Sequence, residues 1–145
     1  MTTSLIPVVC AIAAAVVVLC TTPLAGWLAR TVGAMDQPSG RRIHSTPTPR
    51  LGGLAILAGF LVSVLYYLPA DSGAHALVTG AILIACLGAV DDVFGLGPAV
   101  KLAGQIACAA IPVSAGITID HITLPFAGVF DLGPAQYPLT IIWFV

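Results

Sequence analysis

The sequence predicts an all-α membrane protein, a polytopic bundle of transmembrane helices, and three observations carry that prediction. Only 8% of the residues are charged and 59% are hydrophobic, whereas an ordinary soluble domain carries about 25% charged residues. The mean hydropathy is +1.06. The apolar residues also fall in long runs, each near the ~20 residues that a helix needs to cross a hydrocarbon core of ~30 Å.

Four runs meet that demand: Leu5 to Leu28, Leu51 to Pro69, Ala74 to Val93, and Pro98 to Gly116. A fifth begins at Pro138 and is cut at Val145, so residues 1–145 read as the N-terminal part of one integral-membrane domain, truncated within its fifth span. The first run is read as a retained span and not as a secretory signal, because no Lys or Arg precedes it and its first positive charge, Arg30, follows it. Before the fifth run, ITIDHITLPFAGVFDLG alternates apolar and polar residues around Pro-Phe-Ala-Gly. That alternation predicts a short external β-hairpin, with an interfacial loop without strands as the alternative. Pairs such as Ala81 with Ala85 and Ala103 with Ala107 fit close helix packing. Cys10, Cys20, Cys86 and Cys108 lie within spans and form no Cys-x-x-Cys pair, which leaves them as small packing residues.

The basic residues fix an expected orientation. Arg30, Arg41, Arg42 and Arg50 lie between spans one and two, and Lys101 follows the turn after span three. All five fall on one side if the spans alternate. The positive-inside bias then puts the N-terminus outside and this face in the cytoplasm. His75 and His121 lie on the opposite side, where they meet solvent or headgroups.

Candidate chemistry gathers on the cytoplasmic face. In GAVDDVFGLGPAVKLAGQ, Asp91 and Asp92 end an apolar run that carries no charge from Ser72 to Val90. Charges at the edge of a hydrocarbon layer are costly and are enriched in function. Neighbouring helical residues point ~100° apart, so the two carboxylates address one point only if the helix ends there. Gly95, Gly97 and Pro98 predict that end, with Pro98 opening the next helix. Lys101 then falls in a first helical turn, where a cation opposes the macrodipole and needs an external reason. Two carboxylates and a lysine suit a Mg²⁺ and phosphate site. The plainer alternative is that the aspartates mark a helix end in water and pair with Lys101.

The preceding loop, MDQPSGRRIHSTPTPRLGG, adds clustered arginines, His44 and a Gly pair that opens a helix. Arg41, Arg42 and Arg50 can bind phosphate through two parallel hydrogen bonds, and a helix N-terminus beginning at Gly52 and Gly53 favours anions. Setting topology and touching anionic headgroups is the alternative use of such a loop.

HSTPTPRLGG followed by GAVDDVFGLGPAVKLAGQ resembles the polyprenyl-phosphate N-acetylhexosamine-1-phosphate transferases, the family that includes the muramoyl-pentapeptide transferases. The resemblance runs from the first span to the hairpin-like segment and covers the first half of a family member. It implies a polytopic enzyme of the bacterial inner membrane that moves a sugar 1-phosphate from a UDP-sugar onto a polyprenyl phosphate such as undecaprenyl phosphate. UMP is released, and the lipid product begins a cell-wall or surface glycan. Mg²⁺ is the implied cofactor, with Mn²⁺ as its alternative. Asp91 and Asp92 match the family's first acidic motif and Lys101 its phosphate-contacting lysine. Asp91 is assigned to accept a proton from, or orient, the lipid phosphate, and Asp92 to the metal; the reverse assignment stays open. His44, Thr48 and Arg50 are assigned to nucleotide or phosphate binding. The ending Pro-Arg-Leu-Gly-Gly resembles the N-acetylglucosamine branch, so UDP-N-acetylglucosamine is the expected donor and the muramoyl-pentapeptide transfer the alternative. Later family motifs are absent from these residues, which implies that they are inactive alone. Membrane lipids are expected partners, a homodimer is the candidate assembly, and nucleic acid is not expected.

Rival functions are an ion- or proton-coupled transporter, a prenyl synthase and a subunit that only holds partners. Transporter sites lie near the midplane at interrupted helices, whereas this pair is at a span end. The Asp-Asp-x-x-Asp pattern of a prenyl synthase fails, with Gly95 in its last place.

Overall fold

The computed structural model describes residues 5–36, 47–67, 72–124 and 128–145. Five helices are present among them: α1 (Ile6–Val32), α2 (Gly52–Tyr67), α3 (Ser72–Phe94), α4 (Pro98–Ser114) and α5 (Gln136–Phe144). Two antiparallel strand pairs accompany them, β1 (Met35–Asp36) with β2 (Thr48–Pro49) and β3 (His121–Leu124) with β4 (Gly128–Asp131). The described residues are mostly helical, as expected, and the β1–β2 pair is an addition to that expectation. Arg41, Arg42 and His44 lie outside the described residues.

Two helices, α1 and α3, are long and apolar enough to cross a membrane. With 16 and 17 residues, α2 and α4 rise only about 24–26 Å at 1.5 Å per residue, short of a ~30 Å core. The chain divides into two compact units, Met1–Pro69 with Ala85–Gly97, and Ala70–Ile84 with Pro98–Val145, so that α3 contributes its second half to the first and its first half to the second.

In the first unit α1 runs past Leu28 to Val32, because a charged residue such as Arg30 does not interrupt helical hydrogen bonding. Arg30 sits in the last turn, where a cation complements the macrodipole. Gly33, at φ +78°, ends the helix, as a left-handed residue without Cβ does at little cost. Hydroxyls inside this apolar helix bond back to its carbonyls: Thr21 Oγ1 donates to Val17 O at 2.7 Å and Thr22 Oγ1 to Val18 O at 2.6 Å.

Helix α2 packs against α1 at Gly59, where an added Cβ would lie 2.6 Å from Val18 Cγ2 and 2.9 Å from the Ala14 carbonyl oxygen. One turn on, Ser63 Oγ donates to Cys10 O at 3.0 Å. Toward the other end of this pair, the buried Ala29, Ala34 and Leu51 form a small core, with Met35, Leu54 and Ala89 against it. Ala89 ties the second half of α3 to that core.

In the second unit, an added Cβ at Gly80 of α3 would lie 3.3 Å from Pro112 Cδ and 3.4 Å from Cys108 O of α4. Helix α4 ends in a Schellman motif, with Gly116 N donating to Val113 O at 3.1 Å and Ile117 N to Pro112 O at 3.0 Å. Gly116 takes φ +88° there. The fully buried Thr140 of α5 accepts the Ile119 amide at 2.8 Å and donates to Gln136 O at 2.6 Å. Strands β3 and β4 pair from His121↔Asp131 to Leu124↔Gly128, within the segment whose alternation predicts strands.

Candidate functional site

The end of α3 is built by Asp91. Its backbone carbonyl accepts the Gly95 amide at 2.8 Å, and its carboxylate Oδ1 accepts the Leu96 amide at 3.0 Å. Gly95 has φ +66°, the left-handed residue that closes such a turn. In a Schellman motif the second bond would go to the Asp91 carbonyl; here the carboxylate takes it. The helix therefore ends three residues after Asp91, at Phe94, and α4 begins at Pro98.

Asp92 belongs to a different face. Ala85, Gly88, Ala89 and Asp92 are spaced i, i+3, i+4, i+7, which sets them in one stripe. That stripe lines one wall of an open cleft of about 170 Å³, whose other wall is Arg50, Leu51, Gly53 and Leu54 at the start of α2. Small side chains at 85, 88 and 89 leave the space, and Asp92 and Arg50 both line the cleft. A Cβ added at Gly52 or Gly53 would meet nothing within 4 Å, so packing among the described residues does not require the glycine pair.

The other wall is set by a short ladder. β1 and β2 pair with Met35 opposite Pro49 and Asp36 opposite Thr48, and the Arg50 amide donates to Ala34 O at 3.0 Å. The Arg50 side chain forms an ion pair with Asp36. Thr48 is exposed on β2. Lys101 is exposed in the first turn of α4 and is described within the second unit.

Of the residues that the sequence singles out, the structure thus brings Arg50 and Asp92 to one cleft and turns Asp91 toward the helix end. Sequence reasoning gave Asp36 no role, although the ladder and the ion pair make it the partner of Arg50. Its one signal was position, a lone carboxylate at the start of an otherwise basic loop.

No group of three or more His, Cys, Asp or Glu able to hold a metal occurs among the described residues. A Mg²⁺ site needs no such cage, since Mg²⁺ is commonly held by one or two carboxylates together with substrate phosphates. Asp91 and Asp92 are carboxylates of that donor type, with Asp92 on the cleft and the Asp91 Oδ1 engaged by the Leu96 amide.

Comparison with known proteins gives a consistent set of likenesses. The model of glycosyl transferase family 4 matches residues 74–145. A probable undecaprenyl-phosphate N-acetylglucosaminyl 1-phosphate transferase of Bacillus subtilis (strain 168) is 39% identical over 143 residues, which are 95% of this chain and 39% of that protein. A decaprenyl-phosphate N-acetylglucosaminephosphotransferase of Mycobacterium leprae (strain TN) is 37% identical over 80% of this chain and 31% of its own length. A putative UDP-N-acetylglucosamine–dolichyl-phosphate N-acetylglucosaminephosphotransferase of Saccharolobus solfataricus is 33% identical over 64% of this chain and 30% of its own. The chain spans less than two fifths of the length of these relatives. No solved structure matches it.

Proposed function

The chain belongs, by its residues 74–145, to glycosyl transferase family 4, and on that premise we propose that the whole protein transfers N-acetylglucosamine 1-phosphate from UDP-N-acetylglucosamine to a polyprenyl phosphate, releasing UMP. The observation that carries this reading is the cleft shared by Asp92 and Arg50, a carboxylate and a guanidinium at the N-terminus of α2, where anions are favoured. The names of the relatives support the sugar and the lipid class, and undecaprenyl phosphate is the preferred acceptor. The product would begin a cell-wall or surface glycan.

Phosphoryl transfer rests on positioning and charge neutralisation more than on covalent chemistry by the protein. Arg50 binds phosphate oxygens of the nucleotide, assisted by Thr48 and His44. Lys101 neutralises a further phosphate oxygen. Asp91, fixed by its bond to the Leu96 amide, orients the lipid phosphate or takes its proton. Asp92 with Asp91 would hold Mg²⁺, which when bound supplies charge neutralisation on the pyrophosphate.

The two long apolar helices support an integral-membrane protein. Four spans with a fifth following, an external N-terminus and a cytoplasmic site complete the reading, in line with the loop arginines. The strands β3 and β4 would then lie outside.

The test uses the full-length protein in membranes, with labelled UDP-N-acetylglucosamine, undecaprenyl phosphate and Mg²⁺. Formation of a labelled lipid pyrophosphate with equimolar UMP is expected, and its loss on chelation. Transfer absent with the wild-type protein overturns the reading.

A further inference from the structure

Arg50 is held from two directions. Its amide donates to Ala34 O, and its guanidinium pairs with Asp36, while Asp36 is itself registered opposite Thr48 by the β1–β2 ladder. The residue that anchors the Arg50 head thus sits on a strand that precedes the arginine-rich loop, and Arg50 is one of the residues that line the cleft with Asp92.

Stability gives little reason for this pair. The two side chains are 39% and 26% exposed, and ion pairs so open to water contribute about 0–1 kcal/mol. Geometry gives a better one. An unpaired arginine would sample many rotamers, and fixing it on a substrate phosphate would cost binding energy each time. A guanidinium carries five N–H donors in a rigid fork, so a carboxylate on one edge orients the plane and leaves donors on the other edge directed elsewhere.

We propose that Asp36 is a positioning residue that pre-orients the Arg50 guanidinium for the phosphates of the sugar nucleotide, without touching the substrate itself. The proposal rests on the transferase reading above. Because Asp36 acts through Arg50, its removal weakens nucleotide binding and leaves turnover of bound substrate nearly intact.

The experiment uses the full-length protein in membranes, with three readouts for Asp36→Asn, Asp36→Glu and Arg50→Lys. The first is KM against kcat for UDP-N-acetylglucosamine. The second is the rate at which phenylglyoxal modifies Arg50, read by mass spectrometry, which needs no activity. The third is Asp36→Asn placed on Arg50→Lys. Expected are a KM raised about tenfold by Asp36→Asn, as for loss of a charge-assisted contact, with kcat within about twofold and Arg50 modified faster. Asp36→Glu, which keeps the charge one methylene further out, falls between wild type and Asn in both, and it carries the test alone if the Asn variant does not fold. On Arg50→Lys, Asp36→Asn adds nothing. An unchanged KM, an unchanged Arg50 reactivity, or the same multiplicative loss on Arg50→Lys overturns the role of Asp36. A wild-type protein that transfers no sugar phosphate overturns the transferase reading instead, so the two failures are distinct.

Discussion

The Asp91 carboxylate accepts the Leu96 amide at 3.0 Å across the end of α3, so one of the two adjacent aspartates builds the turn that stops the helix. An amide oxygen can keep that bond and a methyl group cannot. Asp91→Asn is therefore expected to leave the turn intact, whereas Asp91→Ala loses a bond whose net value is about 0.5–1.5 kcal/mol. Thermal unfolding of the full protein in detergent checks the ordering. In the transferase reading both variants lose transfer, so Asn separates the chemical role of Asp91 from its structural one. An Asn variant that unfolds as readily as Ala would remove the carboxylate from its place in the turn.

Asp92 has no comparable bond to the helix end and faces the cleft with Arg50. Asp92→Asn is expected to leave the unfolding midpoint unchanged and to lower transfer by about 10²-fold, the usual scale for removing one group that stabilises a developing charge. Assaying transfer over a range of Mg²⁺ concentrations adds a second check. If Asp92 holds the metal, half-saturation moves to higher Mg²⁺; an unaltered Mg²⁺ dependence would assign it another task.

The apolar runs made the helices legible, because a long stretch without charge has few other uses. Their ends were less legible. The apolar run ends at Leu28, but the helix goes on past the charged Arg30 and ends at the left-handed Gly33. The turn after Asp92 was readable from Gly95 and Pro98, since both residues punctuate helices for steric reasons. The β1–β2 ladder was not readable. Two residues per strand carry no periodicity, and Pro49 in one of them argues against a strand. With the ladder went Asp36, whose partner lies on the far side of a loop. The Arg50–Asp92 cleft was foreseeable only as a shared membrane face, because it depends on Ala29, Ala34 and Leu51 packing with Ala89.

At Gly59 the α2 backbone approaches α1 so closely that an added Cβ would lie 2.6 Å from Val18 Cγ2. A Cβ 2.9 Å from the Ala14 carbonyl oxygen cannot be relieved by a rotamer change. Gly59→Ala should thus force the helices apart, at the ~1–3 kcal/mol typical of overpacking. Gly88, with nothing within 4 Å of an added Cβ, is the control, and Gly88→Ala should leave the unfolding midpoint near that of the wild type. Equal midpoints for both variants would contradict the close contact.

Thr140 joins the start of α5 to the segment after α4. Its hydroxyl is buried and takes both bonds at once, from the Ile119 amide and to Gln136 O. Thr140→Val keeps the shape and leaves the Ile119 amide without that acceptor, a loss of about 1–3 kcal/mol. Amide hydrogen exchange at Ile119 should accelerate in the variant while exchange within α1 stays unchanged. Uniform acceleration throughout the chain would mean global unfolding and not a local latch.

Asp120, in the segment between α4 and β3, has its carboxyl held below the usual 3.8, chiefly by a hydrogen bond with its own backbone, then by the His121 ring 2.8 Å away. Both favour the ionised form. A carboxyl whose folded value is depressed contributes stability that is fully present above the unfolded value. The contribution is lost as pH falls through the folded value, which sets the window below 3.8. The group is fully exposed, so the effect is on titration more than on folding. Following the Asp120 carboxyl carbon by NMR should give a midpoint below 3.8 that rises in His121→Ala but does not return fully, because the backbone bond is the larger cause. A complete return to 3.8 would make the histidine the main cause, and no movement would mean that the ring and the carboxylate do not meet in solution.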